Sequence, residues 1–209
     1  MLKEGAKPRN PPVYKCSPYL QQAINQEVER FKKLEAIEEC YSEWTNPLVP
    51  VMKKNGKVRV CLDSRKINKM TIEDSYPMRN MQDIFRRLGK ASYFSVIDLK
   101  DAYFQIPLKR ESRNFTAFRT AEGIFRFKVL PFGVMNAPFT MARLMAKAIG
   151  FDLEPNVFVY LDDIVICSEM FEEHVPLLAT VAERLRKAGL TISLSPDFVV
   201  SKSCISGTC

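Results

Sequence analysis

The chain has 209 residues, 46% hydrophobic and 26% charged, enough to bury one sizeable core or two intimately packed subdomains. Its 31 Lys and Arg against 24 Asp and Glu give a net charge of +7, which favours a polyanionic partner. No apolar stretch is as long as a membrane span, the amino terminus MLKEGAKPRNPPVYKC lacks the core of a signal peptide, and six cysteines form no CxxC pair beside a single histidine, His174; this argues against a membrane protein, a secreted protein and a zinc site, and for the cytosol or nucleus.

Residues 1–16, rich in Pro and Lys, are expected to form an extended arm. Ser17-Pro18 then reads as a helix N-cap with proline at the first helical position, and Ile24, Val28, Phe31 and Leu34 carry a helical stripe. WTNPLVPVMKKNGKVRVCLD predicts a β-hairpin turning at Asn55-Gly56, and Lys53, Lys54, Lys57, Arg59, Arg65, Lys66 and Lys69 crowd into it and just beyond. A solvated face is the usual meaning of such a run. Met81, Ile84, Phe85 and Leu88, stopped by Gly89, predict a short amphipathic helix.

YFSVID predicts a strand, and NAPFTMARLMAKAIG a helix capped by Asn136, with Pro138 in its first turn and Gly150 at its end. VFVY and IVI are two short buried strands that leave Asp162 and Asp163 at the turn between them. EEHVPLLATVAERLRKAG is a helix closed by Gly189, and LTISL is a last strand. Cys61 and Cys167 fall in strand-like runs, where a free thiol packs as a small hydrophobe.

Apart from residues 99–135, the order from Tyr93 is βαββαβ, a ferredoxin-like unit in an α/β (α+β) chain. That topology makes the first two strands parallel with the third between them. The carboxyl end of YFSVID, which is Asp98, then shares a sheet edge with Asp162 and Asp163. Separately these acids have ordinary readings: Asp98 and Asp101 as caps for LKDAYF, and the Asp pair as a wet turn. Together, three carboxylates repel unless cations offset them. Hard oxygen ligands without His or Cys point to Mg²⁺, and two ions ~3.5 to 4 Å apart clamp the attacking and leaving oxygens of a phosphoryl transfer.

FSVIDLKDAYFQIPL, LPFGVMNAPFTMARLM and FVYLDDIVICS, in this order and spacing, resemble the core motifs of reverse transcriptases of LTR retrotransposons, retroviruses and pararetroviruses. LPFG followed by NAP is most similar to gypsy-type elements, and the likeness runs from GAKPRNPPVYKCSPYLQ through CLDSRKIN and TAFRT to LTISL. The resemblance implies the fingers and palm of a right-hand RNA-directed DNA polymerase domain from a Pol polyprotein. An arm would span 1–16, fingers 17–92, a palm strand 93–98, an insertion 99–135, palm 136–195 and a divergent tail 196–209.

It also implies roles. Asp98, Asp162 and Asp163, with the Leu99 carbonyl, would bind two Mg²⁺, or Mn²⁺ in their place. Arg59, helped by Lys53 or Lys54, would contact the incoming dNTP; Tyr103 would exclude a 2′-hydroxyl; Phe132 and Gly133 would line the nucleotide site. Leu161, Lys53, Lys57 and Arg65 would face a primer on an RNA or DNA template. Ser64 stands where the family usually has an aromatic residue, and SPDFVVSKSCISGTC lacks the FLG segment of the primer grip. The resemblance therefore suggests a domain with no thumb and weakened activity, and leaves a second reading: a non-catalytic nucleic-acid-binding remnant or a domesticated retroelement protein. Neither a membrane partner nor an oligomeric state is indicated.

Overall fold

Ser17 begins the first helix as its sequence predicts. In α1 (Pro18–Lys33) the Ser17 hydroxyl accepts from the Leu20 N–H at 3.4 Å, and Ile24, Val28 and Phe31 are buried. Each such buried side chain contributes roughly 1.5–3 kcal/mol of hydrophobic stabilisation. Leu34 departs from the expected stripe: it is the C-cap and is exposed, because the chain reverses at Glu35 (φ 52) and Ala36 N–H returns to the Phe31 carbonyl.

This computed structural model describes residues 2–8, 10–11, 14, 16–52, 56, 58–78, 82, 91–193 and 200–201. The chain divides into two compact units, Met1–Asp74 with Tyr103–Ala137 and Ser75–Ala102 with Pro138–Cys209. Lys53, Lys54, Asn55 and Lys57 lie outside the described residues, as do Met81, Ile84, Phe85, Leu88 and Gly89 of the expected short helix.

In the first unit, β1 (Ile37–Glu39) pairs with β6 (Ile124–Phe127), which also pairs with β5 (Phe118–Arg119). A separate hairpin joins β2 (Leu48–Met52) to β3 (Val58–Leu62), from Leu48 opposite Leu62 to Met52 opposite Val58. α2 (Arg65–Met70) follows the hairpin, and α3 (Arg110–Arg113) precedes β5. Alternation places Val60 and Leu62 in a core with Val28, Phe31, Phe118 and Phe127, while Arg59 points outward. Phe31 stands edge-on to Phe104 and Phe127, each at 5.3 Å. The amino-terminal arm is tied down: Leu2 bridges Thr71, Lys3 N–H donates to the Met70 carbonyl, and Asn10 accepts from Thr45 and Arg119.

In the second unit β4 (Tyr93–Asp98), β7 (Val157–Tyr160), β8 (Asp163–Ser168) and β9 (Val200–Ser201) form a sheet in the order β7-β8-β4-β9. β8 runs antiparallel to both neighbours, so β4 and β7 are parallel, as the βαββαβ order requires. α4 (Ala137–Ile149) and α5 (Phe171–Lys187) supply the helices. Ser95, Ile97, Ile164 and Ile166 form the buried face of the sheet.

The last strand departs in part from expectation. Among the described residues of LTISL, Ile192 bridges Leu99, with Lys100 N–H donating to the Thr191 carbonyl and Ser193 N–H to the Asp98 carbonyl, while the strand pairing with Tyr93 and Phe94 is β9. The cause is the end of α5. Gly189 (φ 71) reverses the chain, Leu190 N–H returns to the Leu185 carbonyl at 2.9 Å, and both leucines are buried, so the first residues of the segment serve the helix cap. Asp98 is not a cap for the following helical turn, which starts four residues later at Ala102. No described helix is long and apolar enough to cross a membrane.

Candidate active site

The register of β4 and β8 sets Asp98 directly opposite Asp163, and β7 sets Tyr160 on the other side of Asp163. Directly paired residues of antiparallel strands share a face. The two acids therefore stand on the face that carries Val96 and Val165, opposite the buried isoleucines, and both are exposed. Leu161 and Asp162 make the turn. Asp163 is the first residue of β8, not part of the turn as its sequence suggested.

Leu161 has φ 58, a left-handed conformation that a branched side chain adopts at a cost of about 1 kcal/mol or more. It lines a cavity of about 220 Å³ with Tyr76, Met78, Ala142, Phe151 and Tyr160.

Electrostatics tie the three acids together. Desolvation, then the charge of Asp162, raises the Asp98 carboxyl above the ordinary range, partly offset by the Leu99 N–H. Asp163 is raised by desolvation, then by Asp162 and Asp98. Among the described residues, no Lys or Arg pairs with any of them. An all-oxygen donor set with uncompensated negative charge suits Mg²⁺. The side chains are not drawn into a closed ligand cluster: among the described residues no three His, Cys, Asp or Glu are placed to hold an ion. Leu99 is buried and bridged to Ile192.

His174 binds this sheet from behind. Fully buried, it meets Ser95 of β4 through Nε2 at 2.8 Å and Ser168 of β8 through Nδ1 at 2.9 Å. The Ser168 hydroxyl donates to the Met170 carbonyl, so it accepts from Nδ1–H, leaving Nε2 to accept from Ser95. Burial lowers the His174 pKa, in keeping with this neutral tautomer. Sequence reading assigned His174 no role, since its serine partners lie on other elements.

The first unit holds the other candidates. The Arg59 guanidinium lies 4.9 Å from the centroid of the Phe132 ring, and Tyr103 stands edge-on to the same ring at 5.3 Å. Gly133 has φ 104, and a Cβ there would come within 2.5 Å of the Leu62 carbonyl oxygen, so only glycine fits. Arg65 is already engaged within the unit. Its Nε and one terminal nitrogen hold both oxygens of Asp63 at 2.9 Å, and that nitrogen also donates to the Tyr14 hydroxyl at 3.0 Å. The pairing holds Asp63 well below the usual carboxylate range. Two asparagines missed as structural ties complete the unit. Asn136 accepts from Asp74 N–H and donates to the Ile72 carbonyl, and Asn68 reaches the chain beside Gly133.

Residues 51–196 match the family described as reverse transcriptase (RNA-dependent DNA polymerase). The chain belongs to the reverse transcriptase family. Among its relatives, it is 36% identical over 88% of its length to the retrovirus-related Pol polyprotein from transposon 297, and 35% identical over 81% to that from transposon gypsy, both of Drosophila melanogaster. It spans only 18% and 17% of those relatives. Its mixed α/β architecture matches the reverse transcriptase fold of a foamy viral protease-reverse transcriptase in complex with double-stranded DNA, with TM-score 0.83 and 28% identity, covering 90% of this chain and 33% of that one. The foamy viral protein in complex with an RNA/DNA hybrid gives TM-score 0.82 and 26% identity over 92% of this chain and 26% of that one.

Proposed function

We propose that this reverse transcriptase domain is an RNA-directed DNA polymerase, moving nucleotides from dNTPs to a primer 3′-hydroxyl on an RNA or DNA template. The observation that carries the reading is the Asp98–Asp163 pair with Asp162 beside it, mutually repelling and without a basic partner among the described residues. Buried ties such as His174 give the strands beneath them a stable register, whereas the acids themselves contribute repulsion, which is the signature of a site kept for chemistry.

In this reading the unit Ser75–Ala102 with Pro138–Cys209 serves as palm, and Met1–Asp74 with Tyr103–Ala137 serves as fingers. Asp98, Asp162, Asp163 and the Leu99 carbonyl would hold two Mg²⁺, which would supply charge neutralisation for the phosphoryl transfer. Arg59 offers a planar fork of donors to the triphosphate, held in place by the Phe132 face. Tyr103, braced edge-on by Phe132, stands against the sugar 2′ position. The negative pole at the acids keeps phosphates away until cations enter, so binding and metal loading are linked.

The test is primer extension on an RNA template with Mg²⁺ by the wild-type chain and by Asp162→Asn. Extension lost by a folded variant supports the reading. Nucleic-acid binding without extension by the wild type under any divalent cation would favour the non-catalytic remnant or domesticated protein.

A further inference from the structure

Phe132 belongs to a stretch without helix or strand, between Leu130 and Ala137, yet three residues, Arg59, Tyr103 and Phe104, rest on its ring. Something must hold that ring still. The Phe132–Gly133 backbone is caught on one side by the Leu62 carbonyl, which leaves no room for a Cβ at Gly133. On another side stands Asn68 of α2. Its Nδ2 donates to the Gly133 carbonyl at 2.8 Å, and its Oδ1 accepts from the Met135 N–H at 3.0 Å. One amide thus satisfies a backbone acceptor and a backbone donor two residues apart, a pairing that fixes the amide's orientation as well as the loop's. The residue to which this loop is anchored lies 65 positions away in sequence.

We propose that Asn68 is a positioning residue for nucleotide selection: through the Gly133 loop it sets the Phe132 ring, and through that ring it sets Arg59 and Tyr103 together. This rests on the polymerase reading above. Because the guanidinium lies over the ring and the phenol stands against it, a shift of the ring moves both. Contact with the triphosphate and exclusion of the 2′-hydroxyl are therefore coupled. Losing the amide weakens both at once, where a residue serving the fold alone would leave the choice between sugars unchanged.

The experiment uses the whole chain with Arg59 observed by NMR through its Nε–Hε signal, which the Phe132 ring current displaces, alongside single-nucleotide addition of dATP and ATP. Asn68→Ala should move the Arg59 signal and lower the ratio of kcat/KM for dATP over ATP by about fivefold. In a Phe132→Leu background, the same change should add little further loss. Asn68→Asp, which keeps the acceptor for Met135 but sets a carboxylate oxygen against the Gly133 carbonyl, serves where the alanine variant does not fold; the same two shifts are expected of it. An unmoved Arg59 signal overturns the proposal. So does an unchanged sugar ratio in a folded variant, or a full additional loss in the Phe132→Leu background. A wild type that adds neither nucleotide overturns the polymerase reading and, with it, the role in selection; the Arg59 signal then still decides whether Asn68 places the ring.

Discussion

Replacing Asp163 by Asn should make the protein more stable and less active, and the two effects have one cause. Asp163 stands directly opposite Asp98, and its carboxyl is raised by desolvation and by the charges of Asp162 and Asp98. Carboxylates on paired residues of antiparallel strands lie about 6 Å apart. At that distance two unit charges repel by about 0.7 kcal/mol in bulk water and about 2.8 kcal/mol at an effective dielectric of 20. Both side chains face solvent, so the lower part of this range applies, and Asp163→Asn should gain about 1 kcal/mol at pH 7, or about 2 to 4 °C in Tm.

The pH dependence has a definite sign. A carboxyl whose pKa is raised on folding costs nothing below its unfolded value near 3.8, and the cost grows as pH rises through the folded value. The gain from Asp163→Asn should therefore be present at pH 7 and vanish below about pH 3.8. Thermal melts across this range are the assay, repeated with Mg²⁺. If the wild type binds the ion with Kd about 1 mM, 10 mM Mg²⁺ should stabilise it by about 1.4 kcal/mol, and the variant by much less. Primer extension by the variant should fall by about 10³-fold. A variant that is less stable at pH 7, or that responds to Mg²⁺ as the wild type does, refutes the reasoning.

Tyr103→Ala should raise ATP incorporation relative to dATP by about tenfold or more, read as the ratio of kcat/KM values; an unchanged ratio returns Tyr103 to a packing role. His174 has a depressed pKa, so its contribution is present above about pH 6.5 and lost as pH falls through the lowered folded value; urea titrations should show stability declining over that interval, and His174→Leu should flatten the decline while costing about 1 to 3 kcal/mol at pH 7.5. Gly133→Ala should destabilise by about 2 to 4 kcal/mol, since both φ 104 and the Leu62 carbonyl oppose a Cβ; a loss below about 0.5 kcal/mol in denaturant would show that the backbone relaxes there.

The parts of the fold legible in sequence are those written locally. Ser17-Pro18 announces α1, and Gly150 and Gly189 close α4 and α5, whereas the residue types of YFSVID do not tell which side chains leave the core, since Ser95 is buried and Val96 exposed. Given alternation and the βαββαβ order, the meeting of Asp98 with Asp163 follows, because parallel strands flanking an antiparallel one bring those two ends together. What local pattern conceals is a side chain used to tie distant backbone. Asn68 resembles any polar residue on a short helix, and Asn136 resembles an ordinary cap; their amides are spoken for by residues more than 60 positions away. His174 is hidden for the same reason, being polar by type yet buried, with both ring nitrogens bonded to serines of two different strands.

Arg59 and Arg65 show why charge alone could not sort the basic residues. Both sit in KVRVCLDSRK, six positions apart, and by composition they are equivalent. Arg59 projects from the outward side of β3, and among the described residues it rests on the ring of Phe132 without a carboxylate partner, so its donors remain available to an anion. Arg65 spends the same guanidinium on Asp63 and Tyr14. The deciding group, Tyr14, comes from the amino-terminal arm 51 positions upstream, whose docking onto this unit cannot be read in the motif itself. A net charge of +7 therefore overstates the positive surface open to nucleic acid near this motif, and a phosphate-binding role assigned to Arg65 by position must compete with a bidentate carboxylate already in place.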